Sequence, residues 1–157
     1  AEAVAALIKR NLLEISSQYY PPAYIASIVR HLSAGMLIEN AKVEHIFVAQ
    51  KKGKVVGTGT LSNFGSDEEP SYYGTAIFII PELHRRGIGK EIMHKLEEKA
   101  VKLGANKLTV RAAINARGFY EKLGYTYQNG ITVEDEEGNY IMEKAIQKND
   151  STNLRFG

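Results

Sequence analysis

Between residues 72 and 112 the hydrophobic period changes twice, and this constrains the fold more than any other feature of the chain. YYGTAIFII, residues 72 to 80, is a nearly continuous run of β-formers stopped by Pro81, which predicts a central strand buried on both faces. Ile88, Ile92, Leu96, Ala100 and Leu103 then recur at helical spacing, with Glu91, Lys95, Glu98, Lys99 and Lys102 off that stripe and Gly104 as a C-terminal cap. LTVRA, residues 108 to 112, returns to strand character. A strand, a long helix and a second strand predict a right-handed parallel crossover, so the chain belongs to the α/β (α+β) class.

The flanking segments add elements to that unit. Val4, Leu7, Ile8, Leu12 and Ile15 form one apolar face, with Lys9, Arg10 and Glu14 mostly opposite, which predicts a helix over residues 2–15. A second helix is expected from Pro22 through Ile25, Ile28, Val29, Leu32 and Met36. IFVAQ, the turn KKGK and VVGTGTL read as an antiparallel hairpin, followed by the polar, acidic loop SNFGSDEEPS. A short helix from about Ala116 to Leu123 closes at Gly124, and two strands, Tyr125 to Val133 and Tyr140 to Ile146, flank the acidic turn EDEEGN. The expected architecture is a mixed, mostly antiparallel central sheet flanked by helices. With no repeat or linker, residues 1–147 read as one domain and 148–157 as a loose C-terminal tail.

Composition narrows the function classes. The 157 residues are 44% hydrophobic and 24% charged, as in ordinary globular proteins. The absence of cysteine excludes a disulfide framework, a thiolate metal site and a cysteine nucleophile. A net charge of +2 is well short of a nucleic-acid binder, and no apolar run is long enough to cross a bilayer. The opening AEAVAALIKR lacks a secretory pattern, so a cytoplasmic location is expected. His31, His45, His84 and His94 show no metal-ligand spacing, and no metal is expected. Asn149-Asp150-Ser151 fits a glycosylation pattern only by coincidence on this reading.

IFIIPELHRRGIGKEI, residues 77 to 92, is the segment richest in chemistry, because it sets a glycine-rich turn between the strand and the long helix. Backbone amides at a helix N-terminus lack intrahelical partners, and the macrodipole adds partial positive charge. Gly87 and Gly89 remove side chains that would block a phosphate, and Arg85, Arg86 and Lys90 add full charges. The alternative is a connecting turn whose glycines serve tight packing. Gly57-Thr58-Gly59, inside a hairpin strand, reads as structural, and no Walker motif is present.

These residues resemble the GNAT superfamily of acetyl-CoA-dependent N-acetyltransferases. PELHRRGIGKEIM is similar to its pyrophosphate-binding signature, Gln/Arg-x-x-Gly-x-Gly/Ala, and FYEKLGY, residues 119 to 125, to its later Phe-Tyr-x-x-x-Gly-Phe/Tyr signature, with YIMEKAI as a familiar last strand. The resemblance runs from residue 2 to about 146. The family's usual first strand has no counterpart before the first helix, and with Ala rather than Met at position 1 this points to missing leading residues.

The resemblance implies that Phe78 and Ile79 pair through their backbone with the pantetheine arm of acetyl-CoA, and that the pyrophosphate rests on His84, Arg85, Arg86, Gly87, Ile88, Gly89 and Lys90. His84 stands where the family prefers Gln or Arg. Tyr120 is implied as the general acid for the leaving thiolate; without the resemblance it reads as a packing aromatic. Asn115, two residues later than the family's asparagine position (here Ala113), either reaches the coenzyme or caps the short helix.

The family's usual strand carboxylate is replaced by Thr75 and Ala76, so no general base is assigned, Tyr72, Tyr73 and His45 having more ordinary roles. An amide near Ile79 is a candidate oxyanion donor. The loop with Tyr19, Tyr20, Pro21 and Pro22 and the run Asp135, Glu136, Glu137 would border the acceptor. The implied activity moves acetyl from acetyl-CoA to a primary amine, a small molecule or peptide, by direct attack, with a homodimer as the expected assembly. A non-catalytic acyl-CoA sensor is the alternative, and an interaction protein using the basic turn ranks last.

Overall fold

A computed structural model describes residues 1–147; the tail and the Asn149-Asp150-Ser151 pattern lie outside them. Three helices come first: α1 (Glu2–Glu14), α2 (Pro22–His31) and α3 (Ala34–Asn40). The hairpin strands β1 (His45–Lys51) and β2 (Lys54–Asn63) follow, then β3 (Tyr72–Ile79), α4 (Ile88–Lys102), β4 (Lys107–Ala113), α5 (Arg117–Lys122), β5 (Thr126–Tyr127) and β6 (Asn139–Ala145).

The strands form one sheet in the order β1-β2-β3-β4-β6-β5. Every adjacent pair is antiparallel except β3 and β4, the two joined by the α4 crossover. This is the mixed, mostly antiparallel sheet flanked by helices that the sequence predicts. No helix among the described residues is long and apolar enough to cross a membrane.

Each face of the sheet carries its own core. On one face α4 lays Ile92, Met93, Leu96 and Ala100 against Leu61, Leu108, Val110 and Met142, all within 4% of full burial. Burying each large apolar side chain contributes about 1.5–3 kcal/mol, so this stripe holds the crossover in place. Gly57 and Gly59 permit the close approach: a Cβ at Gly59 would lie 2.4 Å from Ile92, and one at Gly57 would lie 2.9 Å from Ile79. The structural role expected of that pair is what the packing shows. The opposite face is covered by Val4, Ile8 and Leu12 of α1 with Ile25 of α2 and Leu37 of α3.

Three expectations are corrected. The helix from Pro22 to Met36 is two helices, because Leu32 turns to extended backbone and Ser33 caps α3, its hydroxyl accepting from the Met36 amide at 3.0 Å. The strand expected over Tyr125 to Val133 shrinks to Thr126–Tyr127, since Asn129 and Gly130 both take positive φ in the turn that follows. Nor is β3 buried on both faces: of its residues only Gly74 is fully buried and Ala76 is exposed.

Candidate functional site

The partial exposure of β3 originates in one residue. Ala76 adopts φ 50°, and the pairing to β2 jumps from Thr58↔Phe78 to Thr60↔Thr75, so three steps on β3 match two on β2. An extra residue of this kind bends and twists a strand. Its effect shows on the other edge, where β3 pairs with β4 only at Tyr73↔Thr109 and Gly74↔Val110. Beyond that point β3 stays with β2 and β4 stays with β6 through Ala113↔Asn139, leaving a fork between them.

Strand alternation decides which backbone groups face the fork. The Ile80 amide donates to Val56 at 2.9 Å, so Ile80 and Phe78 direct their polar groups toward β2, and Ile77 and Ile79 direct theirs away from it. Phe78 therefore does not present the backbone groups expected of it; its ring packs with the α1 and α2 layer. At the mouth of the fork the His84 ring donates through Nε2–H to the Ile79 carbonyl at 2.9 Å. That contact takes the carbonyl and leaves the Ile79 amide.

Past the fork the chain makes a one-turn 3-10 helix (Pro81–Leu83) and enters α4. The first bond across the turn runs from the Glu91 amide to the Gly87 carbonyl at 3.1 Å, so the amides of Ile88, Gly89 and Lys90 have no intrahelical acceptor. Arg85 at φ 63° and Gly87 at φ 82° turn the backbone so that these amides end the loop. A Cβ on Gly87 would meet nothing within 4 Å, so the space above it is open. Arg85, Arg86 and Lys90 are exposed and join no ion pair among the described residues. Arg86, Ile88 and Glu91 also line a hollow of about 360 Å³ with Gln50 and Lys51. The loop is braced from behind by Arg10 of α1, which pairs with Glu82 and with Glu14.

Gly89 differs from its expected purpose. Its Cβ would lie 3.0 Å from the ring of Phe119, so this glycine admits a neighbouring ring instead of clearing space for a phosphate. Phe119 belongs to α5, as does Tyr120, which is 6% exposed and flanked edge-on by Phe119 at 5.0 Å and Tyr125 at 5.7 Å. Burial alone, with no neighbouring charge, pushes the Tyr120 phenol above its ordinary range, so it is a proton-bearing group at neutral pH. Tyr125 donates to Glu97 at 2.9 Å, and Glu97 pairs with Lys144 at 3.0 Å. Asn115 lies in the 3-10 turn between β4 and α5, is exposed, and does not cap α5.

On the opposite side of the fork the structure gathers Tyr20, Tyr73 and Asp135, which the sequence reading named, with Arg111, Phe64 and Tyr24, which it did not. Arg111, the first residue of β4 beyond the pairing with β3, sets its guanidinium 5.3 Å from the Phe64 ring centre and 5.5 Å from that of Tyr73. Tyr20 and Tyr24 stack at 5.1 Å, and the Tyr20 hydroxyl bonds the Asn139 side chain. The Asp135 carboxylate accepts from the Glu137 and Asn139 amides at 2.9 Å and so shapes its own turn. Only the alternation of Val110, Arg111 and Ala112 could have placed Arg111 on this face from sequence. The four histidines come from separate elements, and the described residues hold no group of three metal-ligating side chains.

Residues 9–125 match the model of the Acetyltransferase (GNAT) family. The fold superposes with a TM-score of 0.75 on the PaiA N-acetyltransferase of Thermoplasma acidophilum in complex with coenzyme A, at 18% identity over 92% of this chain and 91% of that one. A GCN5-related N-acetyltransferase from Rhodopseudomonas palustris gives 0.72, at 21% identity over 91% and 88%. GCN5 from Tetrahymena gives 0.61, at 19% identity over 92% and 85%. At such identities the likeness to these structures is one of fold.

Proposed function

Because the chain belongs to the acetyltransferase (GNAT) family, we propose that it transfers acetyl from acetyl-CoA to a primary amine by direct attack, with the donor lying in the fork between β3 and β4. The observation that carries this reading is the parting of those strands beyond Gly74 and Val110, with amides that lack an intrahelical acceptor at the start of α4 and, in the helix whose Phe119 meets Gly89 of that turn, the buried phenol of Tyr120. Acetyl-CoA supplies the activated acyl group and a thiolate leaving group.

The residues suit such a donor. The amides of Ile88, Gly89 and Lys90 receive the pyrophosphate, with Arg85, Arg86 and Lys90 adding charge from the rim. The open edge of β3 at Ile77 takes an amide group of the pantetheine arm. The Ile79 amide, whose carbonyl is already held by His84, is placed to donate to the oxygen that gains charge as the amine adds. Tyr120, held protonated by burial, gives its proton to the departing sulfur. A new C–N bond replaces the C–S bond, and the proton lost by the amine leaves to solvent, from which one returns to Tyr120, since Thr75 and Ala76 provide no carboxylate on the strand. Asn115 borders the donor from the β4 side.

Titration with acetyl-CoA followed by thermal unfolding tests the donor site. A ligand that binds only the folded protein at about 100 times its dissociation constant adds about 2.7 kcal/mol. A saturable rise in Tm that weakens in Arg86→Glu supports the cradle, and no rise at millimolar acetyl-CoA refutes it. Binding without turnover of any amine would instead favour an acyl-CoA sensor.

A further inference from the structure

We propose that Arg111 sets the acceptor class of this site, selecting amines that also carry an anionic group, a carboxylate or a phosphate. The inference rests on the acetyltransferase reading above and adds the partner that the donor site leaves undefined.

Position is the first support. Val110 and Ala112 are fully buried in the core beneath α4, so the intervening Arg111 projects from the other face of the sheet. The fork opens immediately after the Gly74↔Val110 pair, which puts Arg111 at its apex, on the side away from α4 and α5. An amine entering from that side passes this guanidinium before it reaches the reacting carbon.

Chemistry is the second. Arg111 is exposed and joins no ion pair among the described residues, yet it is not free to wander, since it lies over the adjoining rings of Phe64 and Tyr73, whose centres are 4.9 Å apart. A guanidinium stacked on rings keeps its N–H edges for a planar or tetrahedral anion. Carboxylates are also near: Asp135 accepts from the amide of Asn139, which pairs with Ala113, two residues beyond Arg111 on β4. Asp135 accepts from two amides of its own turn, which hold it there, and it makes no ion pair with Arg111. This side of the fork thus sets one ordered cation near the acidic turn before β6, an arrangement that fits a dipolar acceptor better than a purely cationic one.

Matched amines distinguish the cases, assayed with acetyl-CoA and the full chain. β-Alanine against β-alaninamide tests a carboxylate, phosphoethanolamine against ethanolamine tests a phosphate, and putrescine stands for a purely cationic acceptor. The expected result is at least about a tenfold higher kcat/KM for one anionic member over its neutral partner, the size of one charge-assisted hydrogen bond. The preference should reside in KM and fall to within about threefold in Arg111→Gln, with part retained in Arg111→Lys and acetyl-CoA affinity unchanged in both. Equal or better use of the neutral partners or putrescine, or a preference that survives Arg111→Gln, overturns the proposal. So does the absence of turnover with every amine while acetyl-CoA still binds, which leaves the donor site standing. Loss of acetyl-CoA binding in the wild-type chain would bring down the underlying reading instead.

Discussion

Gly89 and Phe119 are in contact: a methyl group added to the glycine would sit 3.0 Å from the phenyl ring. One residue belongs to the turn that starts α4 and the other to the helix that carries Tyr120, so the two sequence signatures are joined by packing. Gly89→Ala is expected to cost about 1–2 kcal/mol through overpacking, despite the better helix propensity of alanine. Phe119→Leu should recover part of that cost in the double variant. Urea unfolding of the four proteins in this cycle measures it, and strict additivity would show that the contact does not matter.

The approach of α4 to β2 makes a second, steeper prediction. Gly59→Ala would force a methyl group to 2.4 Å from Ile92, whereas Gly57→Ala meets flexible side-chain ends at 2.9 Å and beyond. The first should lower stability by about 3 kcal/mol and the second by about 1 kcal/mol. Comparison of their denaturation midpoints decides the order.

Much of this was readable from the residues. The long apolar stripe of α4 has one solution, a helix across a sheet, and the glycine turn before it could only fall at the helix start. The short-range features were harder. Ser33 breaks the second helix through a single side-chain bond, which apolar periodicity at Leu32 and Met36 conceals. Ala76 has no sequence mark of a bulge, because alanine seldom takes positive φ, yet it does so where the register to β2 shifts. Once that residue is inserted, alternation shifts, and Ile79 rather than Phe78 faces the fork. The contact between His84 and Ile79 and the stacking of Arg111 are tertiary facts that no local pattern encodes.

Tyr120→Phe removes a hydroxyl and leaves the ring between Phe119 and Tyr125. The expected loss is about a hundredfold in kcat, with acetyl-CoA affinity and Tm nearly unchanged, as measured by steady-state kinetics and calorimetry. Unchanged kcat would reduce Tyr120 to a core residue.

The tyrosines also predict the alkaline limit of stability. Burial raises Tyr20 to about 12, and Tyr120 and Tyr125 are raised as well, the last also by Glu97. In the unfolded chain these phenols ionise near the ordinary value of about 10. Above that pH the unfolded state holds fewer protons than the folded one, so their contribution is intact below about pH 10 and is lost as pH rises. For Tyr120 and Tyr125 the loss is about 1.4 kcal/mol each per pH unit within that window. Urea midpoints from pH 9 to 11.5 should fall, and fall less steeply in Tyr125→Phe; a flat profile would contradict the burial of these groups.

The bulge at Ala76 has a consequence for how the protein can be observed. It divides β3 into a half with neighbours on both edges and a half whose Ile77 and Ile79 amides lack a strand to bond. Isotope labelling would see the two halves as different populations, the first slow to take up deuterium and the second quick. A donor that fills the fork would turn the second half slow while the first stays as it was. Two backbone amides would thus serve as a built-in occupancy gauge, one that needs no acceptor, no turnover and no added probe.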